Sequence, residues 1–213
     1  MSRWPHHDDS IMTTWSGRTL SVDYRPSRDG LPFANSWPKG AAVRVQKRAL
    51  ARVFGGLCGG MVQFSRARWL AGEPIPQDAR QTDQAFVDVL VAAQIESLGL
   101  PSGPMRYLAL QFPHRVTARR RSTAQTLAAV REDLENGRPS CVGLLRALSW
   151  NPGALTKHHV VLAYSMREDP DETTMRIYDP NHPRNDRVRL SVAANSVIRT
   201  NQRDPQPYAL LAF

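Results

Sequence analysis

The sequence GGLCGGMVQFSRARWLAG, at residues 55–72, contains a cysteine between two pairs of glycines and continues into a run with helical periodicity. The apolar residues of that run recur every three or four positions, at Leu57, Met61, Phe64, Ala67 and Ala71. Gly72 is a suitable C-terminal stop. We therefore predict a helix that begins at Cys58.

The position of Cys58 predicts a nucleophile. Glycines on both sides permit a sharp turn and the close approach of a substrate. A helix N-terminus favours an anion, so it lowers the pKa of a thiol placed there, and its free N–H groups can stabilise an oxyanion. The simpler interpretation is a small buried cysteine in a glycine-rich turn. The second cysteine, Cys141, lies in an apolar strand-like run and is predicted to be a core residue.

A thiolate nucleophile requires a base, and two adjacent histidines begin the predicted strand HHVVLAY at residues 158–164. Because side chains alternate across a strand, only one of the two imidazoles can meet Cys58. We choose His159, with His158 as the second choice. The alternative is that both histidines end a strand without any chemical role. His114, between Pro113 and Arg115, is a weak candidate.

The base in turn requires an acceptor that orients its second ring nitrogen. The sequence RIYDPNHP, at residues 176–183, offers Asp179 at the end of a strand that should pair with the His159 strand. Asn181 is an alternative acceptor, since an amide can also hold an imidazole. An Asp-Pro pair alone is typical of an ordinary turn. The order of cysteine, histidine and aspartate along the chain is what favours the functional interpretation.

The distribution of predicted elements indicates an α+β fold. Helices are expected at residues 83–98 and 122–136, in addition to the helix at Cys58. After Pro139 the chain turns to short runs rich in Val, Leu, Ile, Tyr and Phe, which read as strands. Helices followed by strands, without βαβ alternation, favour helices packed on an antiparallel sheet. We expect residues 1–30 to form a loosely ordered arm and residues 31–213 to form one domain.

Four segments carry a family resemblance: FANSWP (33–38), GLCGGM (56–61), HHVVLAY (158–164) and IYDPNHP (177–183). With the order Cys58, His159, Asp179, they resemble the papain-like cysteine peptidase superfamily. More narrowly, they resemble a bacterial branch related to the bacteriocin-leader (double-glycine) peptidases. The resemblance implies a papain-like fold and a thiol protease, or a related cysteine-dependent acyl transfer, without metal or organic cofactor.

The chain departs from that family at the oxyanion site. Papain-like enzymes place a glutamine about six residues before the nucleophile, where this chain has Arg52. Asn35 and Gln46 are the candidate replacements. We favour Asn35, because its segment matches the family pattern.

The composition is that of an ordinary globular domain, with 41% hydrophobic and 22% charged residues. No apolar segment is long enough to span a bilayer, and the first residues lack the apolar core of a secretory signal. Two cysteines are too few for a disulfide framework or a four-thiolate zinc site. We expect a protein of the cytoplasm, or one exported by a route without a Sec signal.

The net charge of +9 has two interpretations. One is an arginine-rich host composition; the other is a basic surface that attracts an acidic protein or peptide substrate. Nucleic acid is not favoured, because the chain has neither zinc-finger spacing nor an RNA-binding aromatic signature. The only tight basic run is Arg119, Arg120 and Arg121.

Three other functions compete with a peptidase. A transglutaminase-like acyl transferase or amidase would use the same three residues. A non-catalytic papain-like module would bind an acidic partner through its basic surface. A zinc site is disfavoured, because adjacent histidines on a strand diverge. A peptidase of this kind could be a processing enzyme, or a toxin, whose partners would then include an inhibitor or immunity protein.

Overall fold

The structure is a computed structural model that describes residues 17–37, 56–97 and 102–213, with the backbone of two short strands between the first two ranges. Gln46 and Arg52 lie outside the described residues.

The helices lie mostly in the first two thirds of the chain. They are α1 (Pro26–Asp29), α2 (Cys58–Leu70), α3 (Gln84–Ser97), α4 (Ser102–Gln111) and α5 (Val116–Glu135), with a 3-10 helix, η1, at Pro152–Lys157. None of these described helices is long and apolar enough to cross a membrane.

The strands are β1 (Arg18–Ser21), β2 (Arg44–Val45), β3 (Arg48–Ala49), β4 (Ser140–Leu145), β5 (His159–Glu168), β6 (Glu172–Tyr178), β7 (Arg189–Ala193), β8 (Ile198–Thr200) and β9 (Ala209–Ala212). The seven-stranded sheet has the order β8-β7-β6-β5-β4-β9, with β1 also paired to β5. The ladders are antiparallel. β2 and β3 form a separate two-stranded ribbon.

The longest strand, β5, changes partner along its length. Its first half pairs with β4, and its second half pairs with β1, beyond a register shift between Ala163 and Ser165. A bulge of this kind bends a strand and increases its twist. The sheet therefore curls, and the start of β5 faces the helices.

Two helix contacts cover the sheet. α5 packs on β4, β5 and β9, where Val130 and Leu134 join the main core. α2 packs against α3 and β5. The α2–α3 contact is very close, since a side-chain carbon at Gly60 would lie 2.0 Å from the Leu90 carbonyl oxygen. The glycines after Cys58 therefore bring α3 next to the start of α2.

The predicted α+β class with an antiparallel sheet is confirmed. The helices expected at Cys58 and at residues 83–98 are present as α2 and α3. The apolar runs that were expected to form strands after Pro139 are present as β4, β5, β6, β7 and β9. The third expected helix is longer than predicted, since α5 begins at Val116. α4 and β8 were not predicted.

Residues 17–30 differ from the loosely ordered arm expected at residues 1–30. β1 pairs with β5, and Tyr24 is buried among the side chains of α2 and the sheet. The physical reason is burial of this aromatic ring, which the polar local sequence does not reveal. Residues 1–16 lie outside the described part of the chain.

Candidate active site

Cys58 is the first residue of α2 and is buried, with 7% of its surface exposed. Two side chains hold the backbone around it. The Leu57 N–H donates to Asn35 Oδ1 at 2.9 Å, and the Gly60 N–H donates to Gln94 Oε1 at 2.8 Å. The helix start is thus fixed on both sides of the thiol.

His159 is the first residue of β5, opposite Leu144 of β4. Its Nε2 lies 2.6 Å from Asp179 Oδ1, and both side chains are buried. Asp179 directly follows β6, the neighbouring strand. Because Asp179 engages Nε2, the imidazole has Nδ1 available for Cys58.

The thiol and the imidazole shift each other's pKa in opposite directions. Burial raises the pKa of Cys58, but the charge of His159 and a hydrogen bond from it lower it. Backbone N–H groups of Val160 and Gly59 act in the same direction, so the thiol pKa lies below its ordinary value. Burial lowers the pKa of His159, but the charges and hydrogen bonds of Asp179 and Cys58 raise it to about 9. The arrangement favours a thiolate beside an imidazolium.

Asp179 is held as a carboxylate by several groups. Burial raises its pKa, but the charge and hydrogen bond of His159 lower it to about 2, with further help from the Asn181 N–H and from Arg146. The Asn181 backbone N–H donates to Asp179 Oδ1 at 2.8 Å. Asn181 therefore supports Asp179 through its backbone N–H. The sequence offered its side-chain amide as an alternative partner for the imidazole, and in the structure Asp179 takes that place.

Arg146 is a buried cation behind Asp179. One guanidinium nitrogen lies 3.5 Å from Asp179 Oδ2 and 3.6 Å from Asp204 Oδ2. Asp204 Oδ2 also lies 2.8 Å from His182 Nε2, with which it forms a hydrogen bond. Two carboxylates thus share one arginine, and Arg146 Nε has no hydrogen-bond partner among the described residues.

The carboxylates of Asp179 and Asp204 and the imidazole of His182 lie within 4.8 Å of one another, a spacing that suits metal ligands. The Arg146 guanidinium already contacts both carboxylates. Its positive charge disfavours a second cation at that position.

His158 is engaged away from Asp179. Its Nδ1 accepts the Arg146 backbone N–H at 3.3 Å, and its Nε2 lies 3.2 Å from Gln111 Oε1. Its ring stacks on Tyr107, with ring centroids 5.0 Å apart. Burial lowers its pKa to about 4, so His158 is a neutral structural histidine. The structure brings His159, and not His158, into the pair with Asp179.

Asn35, expected as an oxyanion donor, supports the loop that precedes Cys58. Its Oδ1 accepts both the Leu57 N–H and Trp37 Nε1, each at 2.9 Å. Its Nδ2 lies close to Gly56: a Cβ atom at position 56 would be only 2.7 Å from this nitrogen. Gln46, the other expected donor, lies outside the described residues.

A small cavity of about 60 Å³ opens beside Cys58. The catalytic candidates His159 and Cys58 line it together with the apolar or aromatic groups of Tyr107, Leu155 and Phe213. The cavity has room for one small group next to the thiol.

Gln94 and Arg146 belong to this site and were not found from the sequence. Gln94 occupies an inward position of α3, in line with Val87 and Leu90, and it is 6% exposed. A polar residue at a core position of an amphipathic helix is a usable signal. Arg146 follows the fully buried strand β4, and a charge directly after such a run is a weaker signal.

Comparison with known proteins adds no relative. No protein-family model matches this chain, and no curated protein or solved structure matches it significantly.

Proposed function

We propose that this protein is a cysteine peptidase of papain-like design, in which Cys58 is the nucleophile, His159 the base and Asp179 the orienting acid. The observation that carries the proposal is the buried His159–Asp179 hydrogen bond at 2.6 Å beside a thiol of lowered pKa. A structural cysteine does not need a helix N-terminus and an imidazole held in one orientation.

The chemistry follows from these positions. The Cys58 thiolate attacks the carbonyl carbon of a peptide bond, and the carbonyl electrons move to oxygen. The His159 Nδ1–H then gives its proton to the leaving amine as the C–N bond breaks, which leaves a thioester. Water attacks the thioester while neutral His159 accepts its proton, and the acid is released with the free thiolate.

The developing oxyanion has donors near the start of α2. A helix N-terminus favours negative charge, and the N–H of Cys58 is the backbone donor at the first position of α2. Side-chain amides of Asn35 and Gln94 lie on either side of this turn, through their bonds to Leu57 and Gly60. Because their oxygens accept from the backbone, only the Nδ2 and Nε2 groups of these amides could donate to an oxyanion in place of the glutamine that the family pattern puts at Arg52.

Labelling with a peptidyl epoxide tests the proposal. At pH 6 we expect one adduct, at Cys58, and labelling about a hundredfold slower in His159→Ala, because an ordinary thiol is only about 0.3% ionised at that pH. Intact-mass measurement and peptide mapping give the rates and the site. Cys141, whose pKa burial raises to about 12, should stay unlabelled.

The adjacent histidine supplies the matched control. His158→Gln changes the other histidine that lines the cavity and should still label much faster than His159→Ala, with circular dichroism showing that both variants are folded. Equal, slow labelling in the unmodified chain and in His159→Ala would contradict catalysis by this pair.

A further inference from the structure

The surface between α4 and α5 carries a groove of about 670 Å³ that is separate from the cavity beside Cys58. Three of its lining residues are arginines, at positions 106, 115 and 121, and they come from α4, from the turn and from α5 respectively. The other polar lining residues are neutral or imidazole groups. None of the lining residues carries a carboxylate.

The sequence around this groove is unusual in its charge. Residues 97–131 contain no aspartate or glutamate. The same stretch contains six arginines: Arg106, Arg115, Arg119, Arg120, Arg121 and Arg131. The three groove arginines form no ion pair with any described residue, whereas Arg131 is paired with Glu168. Their charge is therefore available to a ligand.

The run of Arg119, Arg120 and Arg121 is divided by the structure. Arg119 is 7% exposed, and its guanidinium donates to three backbone carbonyls at the end of α4 and in the following turn. No carboxylate accepts from it among the described residues, so its charge adds to the positive potential near the groove. Arg121 lines the groove, and Arg120 is exposed but does not line it.

An aromatic stack lies beside the arginines. His114 lines the groove and stacks on Trp150, with ring centroids 5.2 Å apart. Phe112 lies 5.1 Å from the same indole ring, which is 65% exposed. Exposed Trp with Arg is the residue combination that protein interfaces enrich.

Helix α4 links the groove to the candidate active site. Pro104 and Tyr107 line the cavity beside Cys58, whereas Arg106 and Leu110 line the arginine groove. Helix α4 therefore lies between the groove and the cavity, and contributes residues to both.

We propose that the groove between α4 and α5 is a docking site for a peptide segment rich in aspartate and glutamate. The guanidinium groups can pair with carboxylates in a bidentate way. Connection to the Cys58 cavity through α4 favours a peptide over a nucleic acid. The identification of that peptide as part of a substrate rests on the proposed function; the binding itself does not.

The test uses the full chain carrying Cys58→Ala and a fluorescein-labelled hexaglutamate peptide, with fluorescence anisotropy at low salt. We expect saturable binding that weakens as salt rises. Replacing the three groove arginines together, as R106Q, R115Q and R121Q, should weaken binding by about tenfold or more. Arg120→Gln, on the same helix but outside the groove, should change it less than about twofold.

Three outcomes would overturn the proposal. They are no saturable binding by the folded Cys58→Ala chain, an equal loss of affinity in Arg120→Gln, and tighter binding of a labelled oligonucleotide that is lost with the same three substitutions. The last would assign the groove to nucleic acid. Circular dichroism verifies folding, and single substitutions replace the triple variant if it does not fold. Because Cys58 is absent from the assay, failure here leaves the epoxide test intact.

Discussion

Cys58 and Cys141 are both buried thiols, yet their surroundings move their pKa values in opposite directions. Burial raises the pKa of Cys141 to about 12. At Cys58 the same burial is outweighed by His159 and by backbone N–H groups at the start of α2 and β5. The position of a thiol relative to donors and an imidazole therefore outweighs its burial in setting its pKa.

The surroundings of Asp179 likewise set the charge state of its carboxyl group, and Arg146 is one of the groups that contribute. It is the cation shared by Asp179 and Asp204 in a buried setting. Removing one partner of a buried ion pair leaves an uncompensated charge, which is more costly than the pair is stabilising.

Arg146→Met should lower the free energy of unfolding by about 3 kcal/mol at neutral pH. It should also raise the pKa of Asp179 from about 2. A carboxyl group whose pKa is lower in the folded than in the unfolded state stabilises the fold at pH values above its unfolded pKa. This stabilisation is lost as the pH falls through the folded pKa. The loss in the unmodified chain thus runs from about pH 4 to pH 2. In the variant it should begin at the same pH, which the unfolded state sets, and be complete at a higher pH, so the window becomes narrower.

Chemical denaturation between pH 2 and pH 7 measures both effects. Arg167→Met is the matched control, because Arg167 pairs with Asp169 at an exposed site. It should cost less than about 1 kcal/mol and leave the pH window in place. An unchanged window in Arg146→Met would show that Arg146 does not support the Asp179 carboxylate.

At the scale of elements, the crossing of α2 and α3 sets the geometry at the thiol. Gly59 and Gly60 allow α3 to approach, and Gln94 then reaches the N–H of Gly60. A helix interior normally disfavours glycine by about 1 kcal/mol relative to alanine. Here close packing outweighs propensity.

Gly60→Ala should therefore destabilise the protein by about 2 kcal/mol, although the same change at an exposed helical site stabilises. The added carbon would lie 2.0 Å from the Leu90 carbonyl oxygen, so α3 must move and Gln94 with it. Thermal unfolding gives the stability, and the rate of Cys58 alkylation reports the change at the site.

Gly72→Ala is the comparison variant. Gly72 has a φ of 68°, and an added Cβ atom would meet no other group. The substitution should therefore lower the free energy of unfolding by about 1 kcal/mol through backbone conformation alone. If Gly60→Ala is as stable as the unmodified chain and is alkylated at the same rate, the α2–α3 contact does not require glycine at position 60.

At the scale of the whole molecule, a cluster of tyrosines joins segments that are far apart in sequence. Tyr24 packs against Tyr164 and Tyr178 of the sheet, with ring centroids 5.7 and 6.2 Å away. Its hydroxyl lies 2.6 Å from Ser65 Oγ on α2 and donates to the Asp29 carbonyl. The helical layer, the sheet and the segment after β1 meet at this residue.

Tyr24→Phe should lower the free energy of unfolding by about 1 to 2 kcal/mol, because a buried hydrogen-bond network loses its central hydroxyl. Tyr208→Phe, at a ring that is 52% exposed, should change it by less than about 0.5 kcal/mol. Equilibrium unfolding in urea compares the two. Equal stability in both variants would show that the Tyr24 hydroxyl does not join the layers.

Local sequence was sufficient where a pattern repeats within one element. The spacing of apolar residues predicted α2 and α3, and short β-rich runs predicted the strands. It also selected Cys58, His159 and Asp179 as the residues to examine together, because a helix start and two strand ends are recognisable locally. α4 was missed because glycine and proline interrupt its first turn.

Tertiary packing decided the rest. Pairing of β1 with β5, the approach of Gln94 to Gly60, and the burial of Arg146 between two carboxylates all join residues that are distant along the chain. The sequence preferred His159 to His158, but only the folded chain shows that the His159 face of β5 is the one turned toward Asp179. Periodicity shows which face of an element is buried; only the folded chain shows which other element that face meets.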